Sequence, residues 1–141
     1  MLTSRILLAA GAAALLALPT AASAVVTKLT ATLAGANETG GGDTDGSGKF
    51  SADVDADSGD FCFKLSGSRI DPPTAAHVHT GAAGTDGPPV ITLQVTGDDS
   101  DECVAVEPDT LKAILAAPAN YYVNIHTAPF PKGAVRGQLS K

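Results

Sequence analysis

The chain is poor in positive charge, with 9 Lys and Arg against 15 Asp and Glu in 141 residues. A surface short of cations has little with which to displace the counterions of a phosphate backbone or hold an anionic bilayer. No nucleic-acid partner is expected, and acidic lipid is a poor candidate. Cysteine is also scarce: Cys62 and Cys103 are the only two, and no Cys-x-x-C pair is present. That argues against redox chemistry at a reactive thiol. There is no Gly-x-Ser-x-Gly elbow to present a nucleophile, and the glycine-rich stretches follow no phosphate-binding spacing. No catalytic residue is assigned on these grounds, and an enzyme is not expected. The acids of Asp43-Thr44-Asp45-Gly46-Ser47-Gly48 and of Asp53, Asp55 and Asp57 alternate as in a calcium loop, but neither run has the closing glutamate at its twelfth position. They are read as solvated turns and strand surface.

Long apolar runs are lacking too. Ile6 to Leu18 is the longest, about 13 residues against the roughly 20 that span a bilayer. It follows Arg5 and precedes Pro19 and Ala22-Ser23-Ala24, the order of charge, apolar core and small-residue site that marks a secretory signal peptide. The expectation is cleavage after Ala24, leaving residues 25–141 as one domain with no transmembrane segment. The destination would be secreted, periplasmic or in the cell envelope, where an envelope or extracellular protein partner is left open. In such an oxidising compartment a lone cysteine pair most simply forms one disulfide, Cys62–Cys103. Closing a loop of about 40 residues would stabilise the fold by roughly 3 to 4 kcal/mol.

Alternation with period two dominates what remains, which means strands. Leu29, Ala31 and Leu33 alternate with Lys28, Thr30 and Thr32; Phe50, Ala52, Val54 and Ala56 alternate with Ser51, Asp53 and Asp55; Phe61, Phe63 and Leu65 form a third inward face. Further strands are expected over Ala75 to Thr80, Val90 to Val95, Cys103 to Val106, Tyr121 to Thr127 and Ala134 to Leu139. Ala36 to Gly48 reads as a long mobile hairpin loop that buries nothing, and Gly81 to Pro89 as a second glycine-rich loop. One short crossover helix is expected over Thr110 to Ala117, capped by Asp109 and stopped by Pro118. The fold class that follows is all-β: a Greek-key sandwich of seven or eight strands, immunoglobulin-like or superoxide-dismutase-like.

The chemistry-bearing residues fall on the polar faces of these strands. His77 and His79 stand at i and i+2, so both project from the face opposite Ala76 and Val78. Placing Val123 and Ile125 inward throws Tyr122, Asn124 and His126 outward, and Val135 and Leu139 inward leaves Arg136 and Gln138 outward. If these strands are neighbours, His77, His79, Asn124, His126, Arg136 and Gln138 form an outward-facing polar patch holding all three histidines of the chain.

Two blocks of this region resemble the chordin-type (CHRD) domain family. The first is Ala75-Ala76-His77-Val78-His79-Thr80-Gly81-Ala82-Ala83-Gly84 followed by Gly87-Pro88. The second is Tyr122-Val123-Asn124-Ile125-His126-Thr127 with Pro131, Gly133 and Arg136-Gly137-Gln138-Leu139. With Leu29 to Glu38 the resemblance spans nearly all of residues 25–141. It implies an immunoglobulin-like sandwich module, exported and stand-alone in bacteria. Growth-factor binding is not implied, because chordin's cysteine-rich modules are absent. An acidic residue often precedes the aliphatic of the last strand in that family; here Ala134 stands there, so no carboxylate role transfers to that position.

Two functional readings stay open at this level. In one, the patch belongs to a binding or structural module whose polar side chains form a network fixing strands and the Gly81 to Gly87 loop. In the other, His77, His79 and His126 hold copper or zinc through imidazole nitrogens, with redox activity at the metal left open. The His-x-His strand also resembles that of copper-zinc superoxide dismutase, although the further histidines and the aspartate of its dinuclear site are missing.

Overall fold

The computed structural model describes residues 25–141; the expected signal peptide, residues 1–24, lies outside them. Eight antiparallel strands form one curled sheet: β1 (Val26–Ala34), β2 (Ser47–Asp55), β3 (Asp60–Ser68), β4 (Pro73–Thr80), β5 (Pro89–Leu93), β6 (Glu102–Ala105), β7 (Tyr121–Thr127) and β8 (Val135–Gln138). Their order across the sheet is β5-β4-β7-β8-β1-β2-β3-β6. One register pair, Ala34 with Arg136, joins β1 to β8, and an isolated bridge between Thr30 and Ser140 extends the join. About this seam the two halves curl over a shared core, giving the sandwich-like all-β fold that the alternation implies.

The inward faces are those set by the period of two. Leu29, Leu33, Val54, Phe61, Leu65, Val78, Val123, Ile125 and Val135 are wholly buried in one cluster. Phe50, Phe61 and Phe63 lie with ring centres 5.8 to 6.3 Å apart within it. The single α-helix among the described residues, α1 (Pro108–Ala116), crosses from β6 back to β7 and buries Leu111 and Ile114. It starts earlier than expected and is not capped by Asp109. Glu107 holds the cap position without a side-chain bond, and Pro108 occupies the first turn, where a missing N–H costs nothing. Asp109 falls inside the first turn, where its charge favours the helix dipole.

The segment 36–48 is also corrected: it does bury groups. A short 3-10 turn, Gly35–Asn37, opens it, the Asp43 amide donates to the Ala134 carbonyl at 2.8 Å, and Gly46 and Gly48 are buried. A chain rich in glycine can pack backbone on backbone, and composition alone does not reveal that. Cys62 and Cys103 are direct register partners on β3 and β6 with Cα atoms 4.0 Å apart, and they are disulfide-bonded. No helix among the described residues is long and apolar enough to cross a membrane.

Candidate metal centre

β4, β7 and β8 are neighbours, so their polar faces form a continuous surface. His77 pairs with Asn124, which pairs with Arg136; His79 pairs with Tyr122, which pairs with Gln138; His126 stands beside Ala75, diagonal to His77. All six patch residues predicted from alternation share this face. The face is not open to solvent, however, and this corrects the outward-facing patch. Arg136 is 1 % exposed, Asn124 2 %, Tyr122 3 % and His79 9 %, whereas His77, His126 and Gln138 are partly covered. Alternation distinguishes the two faces of a strand but does not say what lies over the second one. Here Asn37 and Glu38, the segment 81–87, and the connection carrying Pro131 and Gly133 lie across it.

Arg136 organises that cover. Its guanidinium donates through Nη2 to the carbonyls of Ala82 at 2.9 Å and Thr85 at 2.8 Å, and through Nη1 to Asp86 Oδ1 at 3.0 Å. Gln138 accepts from the same guanidinium and donates to the carbonyls of Gly81, Ala119 and Tyr121. Gly81 is required at the start of the loop: its φ is 143°, and a Cβ there would meet the Thr85 carbonyl oxygen at 2.5 Å. Tyr122, on the strand between, carries the Arg136 guanidinium 3.4 Å from its ring centre and His79 stacked nearly parallel at 4.8 Å.

The imidazoles are oriented by backbone carbonyls. His79 Nδ1 lies 2.8 Å from the Gly87 carbonyl oxygen and His126 Nδ1 lies 3.1 Å from that of Pro131. A carbonyl only accepts, so both Nδ1 atoms carry a proton, and in the neutral rings both Nε2 atoms keep a lone pair. His77 Nδ1 sits 3.2 Å from His126 Nε2 and, in the neutral ring, donates to it. His79 Nε2 is buried with no hydrogen-bond partner. One ring nitrogen from each histidine falls within 4.8 Å of the others. Burial pushes the pKa of His77 down, reinforced by His126 and His79; burial also lowers that of His126, with His79 adding to the effect and the Pro131 carbonyl opposing it. Those two rings therefore favour their neutral form, the form that ligates a metal.

Glu38 and Asp86 are site residues that alternation did not find. The Glu38 carboxyl lies against Gly133, where a Cβ would collide with it, and burial raises its pKa to about 7 against the opposing pull of Arg136. Asp86 accepts from both Arg136 and the Thr39 hydroxyl. Both acids lie outside the strands, where no period marks the inward side. The lone arginine on a polar strand face, with a glycine-rich loop nearby, was the available hint that an acid would meet it.

The CHRD domain family model matches residues 29–139, which takes in every residue of this site. No curated protein and no solved structure matches the chain.

Proposed function

The chain belongs to the CHRD domain family, and from the arrangement of its histidines we propose that it is a copper- or zinc-binding module, with His77, His79 and His126 as ligands. The observation that carries this reading is the buried, unpartnered His79 Nε2, on a ring that brings one of its nitrogens within 4.8 Å of a nitrogen of each of the two other imidazoles. An unpaired buried acceptor costs about 1 to 3 kcal/mol, and an ion among the three rings removes that cost. Ligating nitrogens sit about 2.0 to 2.1 Å from zinc or copper, hence roughly 3 to 4 Å apart. The His77–His126 pair, at 3.2 Å, already meets this distance. Three neutral imidazoles leave a fourth position for water or an external ligand, and the donor set suits copper and zinc rather than calcium or magnesium.

A second reading, a structural or binding module without metal, has one observation in its favour. The His77–His126 hydrogen bond lets two of the rings satisfy each other with no ion. It gives no partner to His79 Nε2, and for that reason the metal reading is preferred.

Calorimetric titration of untagged protein with Cu(II) and with Zn(II) separates the two. The metal reading predicts one ion per chain at micromolar or tighter affinity, abolished by His79→Ala or His126→Ala with the fold retained. An absence of binding by the wild type, or several kcal/mol of lost stability in metal-free alanine variants, supports the structural module instead.

A further inference from the structure

We propose that Arg136 is a positioning residue for the three-histidine site, acting through the segment 81–87 to hold His79 in the tautomer that presents Nε2. The link to metal rests on the ligand reading above; the link to the tautomer does not.

His79 has one hydrogen-bond partner, the Gly87 carbonyl. That carbonyl belongs to a loop with few backbone bonds of its own: Thr85 to Ala82, Thr80 to Pro88, and Gly81 to Asn120. The loop is held mainly from β8. Arg136 takes the carbonyls of Ala82 and Thr85 and the carboxylate of Asp86, the residue before Gly87, while Gln138 takes the carbonyl of Gly81. The same guanidinium reaches His79 by a second path, since Tyr122 stacks on both. Arg136 is 1 % exposed and Asp86 is largely exposed, so the arginine is the fixed member and the loop the one it captures. Lysine offers three donors from a single point and cannot span these acceptors as a planar fork does. His126 provides an internal control, because its Nδ1 is held by Pro131 in the β7–β8 connection, which Arg136 side-chain donors do not touch.

The test is nitrogen NMR of the imidazole rings in metal-free, ¹⁵N-histidine-labelled protein at pH 8, comparing wild type with Arg136→Lys, followed by zinc titration of both. In the wild type His79 should be a single neutral tautomer protonated at Nδ1. In Arg136→Lys it should become a mixture of tautomers while His126 keeps Nδ1 protonated, and zinc affinity should fall about 10- to 100-fold, the range for loss of an outer-sphere partner. A folded Arg136→Lys protein in which His79 keeps its tautomer overturns the proposal. So does an equal change at His126, which would mean general loosening. If Arg136→Lys does not fold, Asp86→Ala removes one anchor of the loop from an exposed position; a smaller shift in the same direction supports the proposal, and unchanged His79 signals overturn it. A wild type that shows these tautomers but binds no zinc counts against the metal reading and for the positioning role.

Discussion

At Glu38 a half-buried carboxyl lies between Gly42 and Gly133 with Oε1 unpartnered, and desolvation raises its pKa from 4.5 to about 7. A carboxyl whose folded pKa lies above its unfolded value favours folding fully below about pH 4.5. That contribution is lost as pH rises toward 7. Glu38→Gln removes the charge but keeps the shape. Its unfolding free energy relative to wild type should therefore rise between pH 4.5 and 7, by an amount on the order of 1 kcal/mol once solvent screening of a half-buried group is allowed for. A constant offset across that range would contradict the burial argument. Neither Glu38 nor Asp86 was legible as a site residue, because side-chain direction in a loop depends on backbone conformation rather than on a period. That His77, His79, Asn124, His126, Arg136 and Gln138 share one face was legible, because a well-filled aliphatic face on β4, β7 and β8 leaves the alternate residues only one place to go.

Among the elements, β6 depends most on a covalent tie. It is a four-residue edge strand paired only with β3, and Cys103 on it is bonded to Cys62. Replacing both cysteines with serine should lower the unfolding free energy measured by denaturant titration by about 3 to 4 kcal/mol, as expected for opening a loop of this size. Metal affinity should not change, since β3 and β6 lie at the far end of the sheet order from β4 and β7. A loss of affinity equal to the loss of stability would mean that the site is not carried by its own half of the sheet. The cysteine pairing was legible from there being only two. The start of α1 was not, because Asp109 is a good cap residue and Pro108 a good first-turn residue, and the helix form that includes both begins at the proline.

For the whole molecule, the proposed ligand set would make proton and metal compete for the same three rings. Burial lowers the pKa of His77 and His126 below 6.5, so protons disfavour the fold through these groups. Their contribution to stability is fully present above 6.5 and is lost as pH falls through the lowered folded values. Metal affinity should follow the same sense: constant from pH 8 to 7, then falling with acid, with half the effect reached below pH 6.5. A titration midpoint above 6.5 would place the ligands in a solvent-like environment and contradict their burial. The number of strands and their inward faces were legible from alternation, but their order was not. Pairings such as β8 with β1 join residues about 100 positions apart, and a local pattern carries no record of which distant edge it meets. The cover over the histidines was hidden for the same reason, since it comes from three separate connections. The most direct measurement is X-ray absorption on copper- or zinc-loaded untagged protein: three imidazole nitrogens at about 2.0 to 2.1 Å are predicted, with no metal retained by His79→Ala, whereas a shell of carboxylate or water oxygens with no imidazole, or wild-type protein that carries no metal, would contradict the account.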